Sequence, residues 1–186
     1  MSNFTAIRAV TDTLRAILGS EMPGISVEDK KAPVEVSSST ALVGLYLYRV
    51  EPNPFAMNLD WQQTSESLLT APPFGLNMHY LVTPYGPDEL AIQQTLGEVM
   101  RAFHERPVIR VGDPELSPDL AAMTEELRIV PRLLPLSEML DLWRAFDRMS
   151  YRLCATYEVS TVLIDRQRTR TVMRVQERAI DLAAHP

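Results

Sequence analysis

"YRLCATYEVSTVLID", residues 151–165, carries the clearest strand pattern in the chain. Its odd positions, from Tyr151 to Leu163, are largely apolar, and its even positions begin polar and turn apolar only at Val162 and Ile164. This alternation predicts a half-buried strand. Fifteen extended residues would span about 50 Å. The segment that follows, "RQRTRTVMRVQER" at 166–178, is strongly basic.

Other elements surround this strand in the sequence. Strand patterns lie at 42–50, 74–86 and in "EELRIVPRLLPL" at 125–136, and helical spacing of apolar residues lies at 4–18, 88–104 and 137–146. Apolar residues on both faces at 42–50 predict a strand covered on both sides, beside the long strand or near it. The sequence therefore predicts an α+β fold, with a mixed or antiparallel sheet and flanking helices.

The helix patterns give specific expectations. Gly19 is expected to cap the end of the first helix, and Ser137 to cap the start of the last one. The apolar stripes of the second and third helices should be buried. These stripes are Leu90, Ile92, Leu96, Val99, Met100 and Phe103, then Leu140, Trp143 and Phe146.

The charge of the chain is uneven. Residues 1–165 hold 13 Lys+Arg and 22 Asp+Glu, and residues 166–186 hold 5 and 2, so balances of -9 and +3 sum to the net charge of -6. We predict a domain at 1–165 and a basic C-terminal arm or helix at 166–186. The arm would use Arg166, Arg168, Arg170 and Arg174 to contact an acidic partner. A solvated, frayed terminus, or a helix that packs on the body, explains the same pattern.

A connection of about twenty residues, 52–73, is the second candidate for partner contact, because loops of this length are often functional. It carries Phe55 and Trp61, and tryptophan is favoured at binding hot spots. The connection could equally fold back onto the core or form a strand of its own.

The sequence offers little to catalysis. Its seven glycines are isolated, its three histidines are far apart, and its one cysteine, Cys154, has no partner, so we expect no enzyme activity, cofactor or metal. A basic tail without interleaved aromatic residues, on an acidic body, argues against nucleic acid. No apolar run reaches the length of a membrane span. We therefore expect assembly in the cytoplasm without membrane insertion.

Four segments, taken together and in order, resemble the cap, or tail-terminator, family of extracellular contractile injection systems. The segments are "AIRAVTDTLRAIL" at 6–18, "VGLYLYRVEPNP" at 43–54, "GLNMHYLVTPYG" at 75–86 and "LSEMLDLWRAFDRMSYRLCATYEVSTVLID" at 136–165. The resemblance implies a tail-terminator-like fold and a structural role without catalysis.

The same resemblance implies the partners. Such caps form a homohexameric ring at the baseplate-distal end of a phage-tail-like particle, where they stop growth and hold the last sheath layer to the inner tube. Whether the particle is released or docked at a membrane stays open. The alternative from the residues alone is an adaptor that binds one partner through the 52–73 loop and forms no ring.

Overall fold

The structure, a computed structural model, describes residues 5–29, 41–56, 60–121, 126–146, 150–164 and 168–172. The described residues form four helices and nine strands. In chain order they are α1 (Ala6–Glu21), β1 (Ser26–Asp29), β2 (Leu42–Pro52), β3 (Gln62–Ser65), β4 (Leu68–Thr70), β5 (Phe74–Tyr85), α2 (Glu89–Glu105), β6 (Val108–Arg110), α3 (Pro118–Ala121), β7 (Glu126–Pro131), α4 (Leu136–Arg144), β8 (Ala155–Ile164) and β9 (Thr169–Thr171).

Six strands form the main sheet, in the order β1-β2-β5-β8-β7-β6. Only the β1–β2 pair is parallel among these neighbours, so the sheet is mixed, and the predicted α+β class is confirmed. The strand predicted at 42–50 lies near the long strand but not beside it, because β5 lies between β2 and β8. β5 is the central strand, and most of its residues are buried.

Helices α1 and α2 cover one face of the main sheet. The buried side of α1 runs from Ala6 to Leu18 and packs into the same core as Val43, Tyr80 and Val159. The expectation that Gly19 ends this helix is wrong: α1 continues to Glu21, and the backbone turns through a positive φ at Gly24 instead. Glycine suits that conformation because it has no Cβ.

The second helix begins as the sequence predicts, with the Asp88 carboxylate accepting a hydrogen bond from the Ala91 N–H at 2.8 Å. Its buried stripe is narrower than expected. Leu96, Val99 and Phe103 are buried, whereas Leu90 and Met100 are 77% and 50% exposed. Leu90 lies in the first turn of the helix, and Met100 is rotated by about 100° from Val99, away from the sheet.

Helix α4 covers part of the opposite face. Trp143 and Phe146 are buried there with Leu81 and the flanking Tyr46 and Tyr48. Leu140 is only half-buried. Ser137 does not cap the helix, because α4 begins at Leu136 after Pro135 and has no side-chain cap.

The long strand is shorter than its pattern suggests. β8 begins at Ala155, because the preceding residues turn to aromatic contacts: Tyr151 packs edge-on against Trp143 at 5.7 Å, and the Arg152 guanidinium lies 5.8 Å above the Tyr85 ring. A β-bulge explains the change of face at its far end. Leu76 pairs with Val162 and Met78 pairs with Val159, so β8 has one more residue than β5 between the two pairs. The extra residue shifts the apolar positions of β8 from odd to even numbers.

A row of ionisable side chains crosses the main sheet beside α4. His79 is fully buried, and its Nε2 lies 2.9 Å from Glu51 Oε1, while its Nδ1 lies 3.8 Å from Glu158 Oε2. Arg49 pairs with Glu51, and Arg132 pairs with Glu158 at 2.8 Å. These side-chain contacts connect β2, β5 and β8 near the two β-bulges, where the backbone hydrogen bonds between the strands are interrupted.

The first prediction concerns the packing of α1. Ile17 is fully buried between this helix and the sheet, so Ile17→Ala should lower the free energy of unfolding by about 2–5 kcal/mol, measured by chemical denaturation. Met100→Ala, at a half-exposed position of α2, should change it by less than about 0.5 kcal/mol. Equal effects of the two changes would contradict the packing of α1.

The second prediction concerns pH. The hydrogen bond with His79 lowers the pKa of Glu51 below its usual value. Because this pKa is lower in the folded than in the unfolded chain, the ionised carboxylate stabilises the fold. The stabilisation is fully present at pH values above the unfolded pKa of about 4.3, and it is lost as the pH falls through the lower pKa of the folded chain. Glu51→Gln should therefore cost about 1–3 kcal/mol of unfolding free energy at pH 7. The gap to wild type should shrink below about pH 4.

Urea denaturation at a series of pH values measures this gap. Glu66→Gln is the matched control, because Glu66 lies in an exposed turn and makes no ion pair within the described part of the chain. A pH-independent gap for Glu51→Gln would show that its carboxylate charge does not stabilise the fold.

Candidate partner interface

A second, three-stranded sheet extends from one end of the main sheet. It has the order β3-β4-β9, and we name it the distal sheet. Each of its strands is next in the chain to a strand of the main sheet: β3 follows β2, β4 precedes β5, and β9 follows β8. The last pair of the β5–β8 ladder is Phe74 with Ile164, and the β4–β9 ladder resumes at Thr70 with Thr169. The distal sheet therefore continues the central ribbon.

Two backbone hydrogen bonds fix β9 against the rest of the distal sheet. The Ala71 N–H donates to the Arg168 carbonyl, and the Val172 N–H donates to the Ser67 carbonyl, both at 2.9 Å. The strand at 169–171 shows that the start of the basic tail is extended. Whether 1–165 and 166–186 are separate units stays a prediction, since 173–186 lie outside the described residues.

The distal sheet has almost no core of its own. Every residue of β3 and β9 is exposed, and the residues of β4 are half-buried. Its two leucines, Leu68 and Leu69, are adjacent in β4 and so point to opposite faces. Since small sheets need a hydrophobic face or a packing partner for stability, this sheet gains little from its own side chains.

Three of the six predicted contact residues lie on or beside one face of this sheet. Gln63 pairs with Leu69, and Leu69 pairs with Arg170, so their side chains share a face. Trp61 and Arg168 each lie one residue before their strands and two residues from Gln63 and Arg170, so an extended backbone there brings them to the same side. Trp61 is 37% exposed, and neither arginine makes an ion pair with a described residue. We name this surface, Trp61, Gln63, Leu69, Arg168 and Arg170, the arginine face.

Phe55 projects from the turn that follows β2 and is 90% exposed. Asn53 holds this turn: its side chain accepts a hydrogen bond from the Phe55 N–H at 2.9 Å and donates one to Asn77 at 2.9 Å. Such a fixed turn presents the ring without a large entropic cost on binding. The two remaining candidates, Arg166 and Arg174, lie outside the described residues.

The described residues give little support for a catalytic or metal site. They contain no group of three His, Cys, Asp or Glu side chains that could hold a metal ion. Burial raises the pKa of the Cys154 thiol, which makes it a weak nucleophile. A cleft of about 660 Å³ between α1 and β2 is lined by Arg15, Asp12 and Asp29, whose charges pair with one another. None of the described helices is long and apolar enough to cross a membrane.

The sequence allowed the 52–73 connection to form a strand of its own, and the structure has two strands there, β3 and β4. Their positions were not predicted, because Gln, Thr and Ser occupy both faces of β3 and no apolar alternation results. The two-residue turn Glu66–Ser67 between two short Thr- and Leu-containing runs was the available signal. Polar hairpins of this kind carry no periodicity that distinguishes them from loops.

The comparisons place the chain in a family. Residues 9–178 match the family model described as the Pvc16 N-terminal domain. No curated protein sequence matches significantly.

The fold is similar to two structures determined by cryo-EM. One is the PVC sheath/tube terminator, in the extended state, of an extracellular contractile injection system, with a TM-score of 0.67 and 16% identity over 96% of this chain and 64% of that one. The other is the anti-feeding prophage cap, described as the AFP tube terminating cap, with a TM-score of 0.63 and 15% identity over 93% and 60%. The chain thus spans less than two thirds of the length of either structure.

These matches agree with the resemblance that the four sequence segments carry. Because the family model covers most of the residues, the chain belongs to the Pvc16 N-terminal domain family.

Proposed function

We propose that this protein terminates the inner tube and sheath of a contractile injection system. It would form a homohexameric ring at the baseplate-distal end and anchor the last sheath layer to the tube. The observation that carries the proposal is the family match over residues 9–178, together with a fold match to a sheath/tube terminator over 96% of the chain.

The physics of a growing tube explains why such a protein is needed. A tube built from identical head-to-tail contacts exposes the same surface after every added layer, so it has no intrinsic end. A terminator must bind that surface with one side and present a different surface on the other. Within the described residues, the distal sheet extends from one end of the main sheet only, so the two ends differ in structure, which fits this requirement.

The distal sheet is the part that we propose for partner contact. β3 and β9 each pair on one side only within the described residues, so both edges can accept an extended strand. By resemblance, sheath subunits of contractile tails exchange such strands with their neighbours. Arg168 and Arg170 would then meet acidic groups of the sheath or of the adjacent subunit. Each exposed pair contributes only about 0–1 kcal/mol, but linked copies multiply the effect.

The role is structural rather than enzymatic, which the similarity to a sheath/tube terminator and to a tube-terminating cap supports. The partners would be further copies of the chain, the inner tube and the sheath, with no nucleic acid and no insertion in a membrane. The protein would join a phage-tail-like particle during assembly in the cytoplasm.

A second candidate is a non-enzymatic adaptor that binds one partner through residues 52–73 and forms no ring. The exposure of Phe55 and Trp61 in this segment favours it. The native mass of the purified protein, measured with and without tube protein, separates the two functions. A mass near six times 21.0 kDa supports the ring, and a one-to-one complex supports the adaptor.

The third prediction concerns particle length. Particles assembled without this protein should show a broad length distribution in negative-stain images, because nothing stops the addition of layers. Particles with the wild-type chain should have a narrow one. Equal distributions would refute the terminator function.

The fourth prediction assigns the partner contact to the distal sheet. Arg168→Glu with Arg170→Glu should abolish incorporation of the chain into particles and broaden their lengths, since both exposed charges are reversed. Arg8→Glu with Arg101→Glu changes the net charge equally on exposed positions of α1 and α2, and should leave length unchanged. The same loss with both double variants would show a non-specific charge effect.

A further inference from the structure

A cleft of about 400 Å³ lies at the end of the main sheet opposite the distal sheet. It lies between the end of β5, the first turn of α2 and the segment that precedes β8. Pro84, Glu89, Ile92, Tyr151, Arg152 and Leu153 contribute to its lining. We name it the end cleft.

The end cleft carries exposed apolar surface and free negative charge. Tyr151 and Leu153 are 50% and 38% exposed, and the neighbouring Leu90 is 77% exposed. Glu89 is exposed and makes no ion pair with any described residue. Apolar surface gathered at one site with an unpaired charge at its rim is typical of a contact for another protein.

The walls of the cleft are held in place. Tyr151 packs against Trp143 at 5.7 Å, and Trp143 is itself buried in the cluster beneath α4. Arg152 is half-buried over the Tyr85 ring and keeps its positive charge, whereas Asp88 and Glu89 are both exposed at the start of α2, so the cleft and its rim together carry a net negative charge. Asp88 is fixed as the cap of α2. A preformed site of this kind loses little entropy when it is filled.

The arginine face complements this cleft. It offers Arg168 and Arg170, both exposed and without a described ion pair, around Leu69 and the partly exposed Trp61. An aromatic anchor with arginines beside it is the usual composition of an interface centre. Arginine also binds a carboxylate such as Glu89 through two parallel hydrogen bonds when the geometry allows.

One chain cannot make this contact with itself. The two surfaces lie at opposite ends of β5, the arginine face beyond Phe74 and the end cleft around Tyr85. β5 has twelve extended residues, so about 40 Å separates its ends. Resting on the ring-forming part of the proposed function, we propose that the arginine face of one copy docks into the end cleft of the next copy. Such a heterologous contact uses two different surfaces, so it leaves one of each free until a ring closes.

Site-specific crosslinking tests the contact directly. The background is full-length Cys154→Ala, which removes the only native thiol. Gln63→Cys labels the arginine face without removing an arginine, and Leu153→Cys labels the cleft. With a short bismaleimide, a mixture of the two single-cysteine proteins should give crosslinked dimers, and a chain with both cysteines should give a ladder of oligomers that ends at the closed ring.

The matched control combines Gln63→Cys with Met100→Cys. Met100 is a half-exposed residue of α2, ten residues or about 15 Å along the helix from Leu90 in its first turn. The variant with cysteines at 63 and 100 should therefore give no ladder. Gln63→Cys alone should give no covalent dimer after treatment, as judged on a denaturing gel. If it forms dimers by itself, two distal sheets pair with each other, and the proposal is overturned. A wild-type chain that is monomeric at every concentration, with no ladder from the double-cysteine chain, would overturn it as well.

Charge exchange gives a second and independent readout. Arg168→Glu with Arg170→Glu should raise the dissociation constant of the oligomer at least tenfold, measured by analytical ultracentrifugation, because two carboxylates would then face the carboxylate of Glu89. Adding Glu89→Lys to the same chain should recover most of that loss. A change without recovery would show that the arginines contact some other surface.

The outcome for the ring and the outcome for the proposed function are distinguishable. Rings that form without the Gln63–Leu153 crosslink overturn this contact and leave the terminator function intact. If the crosslink forms but variants that no longer make the ring leave particle length unchanged, the contact is supported and the terminator function is refuted.

Discussion

The antiparallel pairing of β5 with β2 on one side and β8 on the other positions everything else in this fold. β5 is buried along almost its whole length, with α1 and α2 on one face and α4 on the other. Its neighbours each contain a bulge near the level of His79. A bulge leaves one residue unpaired and increases the local twist. The row of ionisable side chains through Glu51, His79 and Glu158 links the three strands at this point, where the ladder itself is weakest.

The same three strands also lead to the distal sheet, so the core and the candidate interface are not independent parts. A sheet with two exposed strands and no apolar face could not persist alone in water. Here the ribbon of the main sheet holds its register, and Asn53 ties the turn beside it to β5 through Asn77. A fixed but incomplete sheet suits a terminator, because the missing packing partner is what the next subunit or the sheath would supply.

The sequence predicted the parts of the fold that bury apolar residues at a regular period. The helices at 6–21 and 89–105 and the strands at 42–52, 74–85 and 155–164 were all found near their expected positions. Errors arose where tertiary contacts outweigh local pattern, as when Tyr151 and Arg152 leave the strand for Trp143 and Tyr85. The sequence allowed a strand within 52–73 but did not predict the distal sheet, because β3 is polar on both faces and β4 and β9 are only three residues long. Register alone brings Gln63 and Leu69 to the same face as Arg170, and no single-sequence pattern contains register between distant strands.

The arginines of β9 resolve a conflict that any exposed sheet edge creates. An unpaired edge binds extended strands without much selectivity, so an edge made for one partner also invites pairing between copies. Arg170 in β9 and Arg168 just before it oppose the pairing of β9 with another β9, because the like charges of both chains would meet. The same two charges favour an acidic surface, and the body of this chain, with a balance of -9, provides one in every other copy. In the ring that we propose, a basic extension on an acidic domain would therefore favour the contact between different surfaces over the contact between identical ones, as a closed ring of more than two copies requires.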